Sequence, residues 1–308
     1  MDAIGLEAAA ALARAALYLG LTVATGVVLV AWTGATRSHH PPDAAARTVW
    51  GPALIGTLLL SSAPLLLLEL QRQALELTRA ELPILLVDTP WGPHWMQLAA
   101  ACLMTAVAIG VLGWSAHLPH ATYDRQRRGV VAAGAHRLAA VGVVAVAATM
   151  SGLGHAAADS EWPRLSRVAD SLHAVTAATW IGGLALTAWI THGRADDESG
   201  AAWGRFSRVA TVAAPIVLLS ALVSSWRRLG AQDPDALWQA MATPYGRLLA
   251  VKGGLVLVML AIGARQRQRL QAGKQEEPRA IRAELLFALL VFGVTSVLTG
   301  TEPPAQRP

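Results

Sequence analysis

His94-Trp-Met-Gln-Leu-Ala-Ala-Ala-Cys-Leu-Met-Thr-Ala-Val-Ala-Ile-Gly-Val-Leu-Gly-Trp-Ser-Ala116 contains no Asp, Glu, Lys or Arg from end to end. A helix needs roughly 20 residues to cross the hydrocarbon of a bilayer, and this stretch supplies them without one full charge to desolvate. Runs of the same kind lie near residues 8–32, 50–70, 130–152, 168–190, 207–226, 247–264 and 283–300, which makes eight with the first. Each is continuous in Ala, Leu and Val, whereas a barrel strand would alternate over about 10 residues, so helices are expected. The whole chain agrees. Of its 308 residues 54% are hydrophobic and only 15% charged, too few to clothe a soluble domain of this length. The expectation is an all-α, polytopic integral membrane protein with eight transmembrane helices. The first run is not expected to be a cleaved signal, because Asp2 and Glu7 precede or open it in place of a basic leader.

Lys and Arg sort unevenly between the two sets of loops. Those after the first, third, fifth and seventh runs hold the larger share, with Arg265, Arg267, Arg269, Lys274, Arg279 and Arg282 clustered between the last two. The positive-inside rule places that set in the cytoplasm, which puts both termini on the periplasmic side of a bacterial inner membrane. The net charge of +5 is then topological, and no nucleic-acid partner is expected. Cys102 is the single cysteine and sits within an apolar run, so it forms no intramolecular disulfide and reads as a packing residue. There is no P-loop, GxSxG elbow or HExxH, and the chain is not expected to be an enzyme.

One internal echo suggests how the helices are arranged. Thr89-Pro-Trp-Gly92 precedes the third run and Thr243-Pro-Tyr-Gly246 the seventh, and small residues of the first and fifth runs also match in placement, Gly26 with Gly183. This predicts two four-helix halves in parallel orientation, residues 1–152 and 153–308. Between Leu70 and Val87 charged residues recur at helical spacing among leucines, which predicts a short amphipathic helix on the outer leaflet ending at Pro83.

Nine histidines are many for a membrane protein, since imidazole is a metal ligand and costly to place in lipid. On the expected outer side stand His94 at the mouth of the third helix, His155 at the exit of the fourth, and His173 within the first turns of the fifth. Met150 lies five residues before His155, with Met96 and Met104 along the third helix. Imidazole with thioether suits copper, Cu(I) in particular, better than zinc or magnesium. Asp170 stands three residues before His173, on the same helix face, where it would orient the ring. The candidate outer-face metal site is therefore His155, His173, His94 and Met150, with Asp170 behind it. Lys252 is expected to snorkel to the headgroups, away from any cation path. His117 and His120, around Pro119, read as a polar loop.

The same residues carry a family resemblance. Gly154-His155, Asp170-Ser-Leu-His173 and Trp180-Ile-Gly-Gly183-Leu resemble the signature stretch of the copper resistance protein D (CopD) family, as do Phe206-Ser-Arg-Val-Ala210, Thr243-Pro-Tyr-Gly-Arg247 with Lys252, and Thr301-Glu-Pro-Pro304. The resemblance implies an eight-helix bacterial inner-membrane protein that moves copper from periplasm to cytoplasm or delivers it, beside a separate CopC-like periplasmic copper protein. His94 lies in a variable slot of that pattern. The alternative is a b-type haem electron-transfer protein. His136 and His155, and likewise His173 and His192, are 19 residues apart on single helices. At 1.5 Å per residue those pairs sit at opposite water interfaces, about 28 Å apart, which disfavours haem depth.

Overall fold

The computed structural model describes residues 3–32, 42–117, 125–153, 161–192, 197–230, 234–274 and 277–304. Its α-helices are α1 (Ala3–Trp32), α2 (Pro42–Ala74), α3 (Leu82–Val87), α4 (Trp91–His117), α5 (Arg125–Leu153), α6 (Pro163–Thr191), α7 (Asp197–Leu229), α8 (Pro234–Ala242), α9 (Pro244–Gln271) and α10 (Pro278–Leu298). No strand occurs among the described residues. Eight of these helices, all but the short α3 and α8, are long and apolar enough to span a membrane. This is a multi-pass membrane protein. Large apolar side chains such as Leu58, Leu103, Val141, Leu222 and Leu289 stand exposed on the bundle's outside, where lipid rather than water is the matching solvent.

The apolar side chains segregate into two large clusters. One joins α1, α2, α4 and α5, through residues such as Leu21, Leu60, Ile109 and Val146, and takes Ala178, Leu186 and Ile190 from α6. The other joins α6, α7, α9 and α10, through Leu184, Phe206, Met259 and Val291, and takes Leu29 from α1. Helices α1 and α6 thus form the seam. They approach so closely because each presents a glycine: a Cβ on Gly182 would lie 2.1 Å from the Thr22 carbonyl oxygen, and one on Gly26 would lie 2.5 Å from that of Gly182. Lipid tails offer helices no hydrophobic incentive to associate, so close backbone packing of this kind is a main source of attraction.

The two Thr-Pro-aromatic-Gly turns are built alike. Thr89 Oγ1 donates to the Leu85 carbonyl at 2.6 Å and accepts from the Gly92 N–H at 3.3 Å. Thr243 Oγ1 donates to the Ala240 carbonyl at 2.6 Å and accepts from the Gly246 N–H at 3.1 Å. In each, the threonine caps a long helix and the glycine lets that helix rest on the backbone of the short one before it, since a Cβ would meet Leu86 O at 2.1 Å or Ala240 O at 2.3 Å.

The segment after α2 differs from the amphipathic helix expected there. Helix α2 runs on to Ala74, the chain turns with Glu76 at φ 55°, a 3₁₀ turn covers Arg79–Glu81, and α3 follows. Pro83 opens α3 instead of ending a helix, because a proline's missing N–H is harmless in a first turn. Glu81 accepts from both the N–H and the hydroxyl of Thr78, each at 2.8 Å, which fixes this start and holds the Glu81 carboxyl below its usual range.

Candidate functional site

Pro163 starts α6 five residues before the apolar run at 168 suggests, since its fixed φ favours the first helical turn. His173 therefore lies ten residues into the helix, about 15 Å along its axis, rather than within its first turns. It lines a cavity of about 480 Å³ between α1, α5, α6, α7, α9 and α10. The ring is set from the neighbouring helix: His173 Nδ1 lies 3.2 Å from the Val217 carbonyl oxygen and 3.4 Å from Ser220 Oγ, both on α7. A carbonyl can only accept, so Nδ1 carries the proton it meets, and in the neutral ring Nε2 keeps its lone pair for a ligand.

The expected partners are distributed unequally. Met150 lines the same cavity as His173, as does a second methionine, Met259. His94 sits in the first turn of α4 against the end of α5, its Nδ1 3.3 Å from where a Cβ on Gly152 would be, beside the 3.2 Å hydrogen bond from Ser171 to Ser151. It is not among the residues that line the cavity. His155 lies outside the described residues, as do His120 and Asp159. Met96, the other methionine near His94, is exposed on the outside of α4. Among the described residues no three His, Cys, Asp or Glu side chains gather as a ready metal cluster.

Asp170, expected to orient His173, is bound elsewhere. One oxygen accepts from Ser224 Oγ at 2.6 Å and the other pairs with Arg228, both on α7. The pair is largely enclosed, with side-chain exposures of 21% for Arg228 and 18% for Asp170. Arg228 also stands against the Tyr245 hydroxyl at the head of α9. Glu161, just before α6, pairs with Arg227 at 2.9 Å. Both carboxylates, Asp170 and Glu161, are therefore met by arginines, which offset their charge. Lys252 does not snorkel away: it lines the cavity together with His173 and Arg228.

Sequence reading undervalued Arg228, Lys252 and Tyr245. Lys252 carried a signal, since a charge within an apolar run is a functional candidate by default, whereas Arg228 lies just beyond the run ending at 226 and Tyr245 carries no charge. Lys252 was instead assigned to the headgroups.

Comparison with known proteins adds a partial family match. Residues 200–298 match the family model described as copper resistance protein D, so the resemblance read from the sequence is met over α7 to α10. The copper transport protein CutJ of Bacillus subtilis (strain 168) is 29% identical over 161 residues, which cover 50% of this chain and 28% of that protein. The chain thus aligns with less than a third of its relative's length. No solved structure matches. Arg228, Tyr245 and Lys252 fall inside the family match, whereas His94, Met150, His155 and His173 precede it.

Proposed function

We propose that this membrane protein, whose last three spans match copper resistance protein D, transports or delivers copper across a bacterial inner membrane and performs no covalent chemistry. The observation that carries the reading is the cavity shared by His173 and Met150, with Nδ1 of the imidazole occupied by α7 and Nε2 left for metal. Neutral imidazole and thioether favour Cu(I), and neither adds a charge to the membrane interior. His155, two residues beyond α5 in the sequence, is a further ligand in this reading, as is His94 from the first turn of α4. The named activity of CutJ supports the same substrate. Copper enters from the periplasmic side and leaves to the cytoplasm, drawn by the membrane potential at about 2.3 kcal/mol per charge per 100 mV. A separate CopC-like periplasmic protein is the donor that this arrangement calls for.

A second reading has one observation in its favour. His173 stands about 15 Å into α6, beside a cavity with Met150, Arg228 and Lys252. Imidazole, thioether and cations for propionates are also what a b-type haem would use. A single experiment separates the two. The purified protein is assayed for metal and scanned through the visible range, alongside His173→Ala, Met150→Leu and the control His192→Ala. Copper transport predicts bound copper without a Soret band, reduced at least tenfold in affinity by His173→Ala and unchanged in His192→Ala. A Soret band lost in His173→Ala makes the protein a cytochrome, and wild-type copper binding in both variants of the site places the metal elsewhere.

A further inference from the structure

Glu284 is 3% exposed, six residues inside α10, and it lines a second cavity of about 250 Å³ between α6, α7, α9 and α10. This cavity lies toward the end of the bundle opposite the mouth guarded by Asp170 and Arg228, because α10 runs antiparallel to α6 and α9 in the eight-span topology. The Glu284 carboxyl accepts a hydrogen bond from the Trp180 indole and rests over Gly263, 3.4 Å from the place of a Cβ there. Trp180 itself lines both cavities. It is the shared wall between the His173 chamber and the Glu284 chamber. From α6 and α7 the second cavity receives no ionisable side chain, from α10 only Glu284, and from α9 only Arg267, whose guanidinium reaches Thr211 on α7. No ion pair to Glu284 is formed among the described residues.

A carboxylate at such a position without a cation is held as its neutral acid or exchanges between the two forms, since an isolated buried charge is strongly disfavoured. Oxygen is also a hard donor, poorly matched to Cu(I). We propose that Glu284 is a proton-binding site in the copper path and that its charge sets the hold on Trp180, the partition between the two chambers. A carboxylate accepts the indole N–H in a charge-assisted bond, stronger than the bond a neutral acid accepts. Ionised Glu284 therefore pins Trp180, and protonation loosens it. The proton is taken from and returned to water at the Glu284 end, and no covalent bond to carbon changes. Trp180 and its flanking glycines fit such a role: Gly182 and Gly183 give α6 its close packing, but the indole projects between chambers.

This inference rests on the copper-transport reading, but its first test does not need copper. The full-length protein in liposomes is treated with dicyclohexylcarbodiimide, which adds only to a protonated carboxyl in apolar surroundings, and the adducts are mapped by mass spectrometry. Glu284 is expected to label, and labelling falls about tenfold per pH unit once the carboxyl ionises. Absence of label at Glu284 from pH 5 to 9 overturns the assignment. In the second test, Glu284→Gln fixes the neutral form; copper flux loses its pH dependence while copper binding at the His173 end persists, and Glu284→Asp restores a pH-dependent profile. A wild-type pH profile in Glu284→Gln sinks the coupling. Protection of Glu284 from the reagent by Cu(I) in the His173→Ala protein would make the carboxyl a metal ligand and overturn the proton assignment. Failure of wild-type protein to bind copper removes the transport reading alone, because labelling reads Glu284 directly.

Discussion

Asp170 shows how a neighbouring helix can change a residue's role. Three residues before His173 on one helix, it has the spacing of a ring-orienting partner, yet its oxygens belong to Ser224 and Arg228. The ring is held by the Val217 carbonyl, an acceptor every residue carries and no side-chain pattern reveals. The Asp170–Arg228 pair is enclosed enough that removing one partner strands the other: Asp170→Asn should destabilise the protein by about 3 kcal/mol. The double variant Asp170→Asn/Arg228→Met should recover most of that loss, read as thermal unfolding in detergent. Equal loss in the single and double variants would mean that the pair is screened by water and contributes little.

At the scale of helices, the existence and number of the long spans were legible because twenty-residue apolar runs have few other uses. Helix starts were less so. Pro163 and Pro244 start α6 and α9 upstream of their hydropathic cores, so His173 and Lys252 stand further along their helices than the apolar runs suggest. Lys252 was read along one helix and turned out to face a cavity built by five others. The Thr-Pro-aromatic-Gly echo was visible as letters, and its meaning, a glycine seated on the backbone of a preceding short helix, needed coordinates. The α1–α6 seam makes a direct prediction. Gly182→Val should destabilise the protein by about 2 kcal/mol or more through overpacking against Thr22, whereas Gly253→Ala, with nothing within 4 Å of the new Cβ, should be neutral by the same unfolding assay.

For the whole molecule, the division into halves 1–152 and 153–308 remains our proposal. Two observations support it: the paired turns, and two apolar clusters that meet at α1 and α6. Its test is an experimental structure, in which α1, α2, α4 and α5 must superpose helix for helix on α6, α7, α9 and α10. Orientation is likewise proposed. Reporter fusions after Arg269 and at the C-terminus should give opposite signals, cytoplasmic for the first and periplasmic for the second, and matching signals would refute the assignment.

The charge lining the His173 cavity bears on which ions can use it. One carboxylate, Asp170, faces two cations, Arg228 and Lys252, so the chamber is positive by one unit. Coulomb repulsion scales with the charge of the visitor, and a divalent ion is opposed twice as strongly as a monovalent one. Magnesium and calcium, which also require several oxygen ligands, meet both an electrostatic barrier and a missing coordination shell. On the proposed reading Cu(I) meets half the barrier, and the soft ligands it is assigned are His173 and Met150. On the copper-transport reading we propose, the arginine and lysine serve as a valence filter, by which a metal present at trace levels passes where the abundant hard ions outside are turned away.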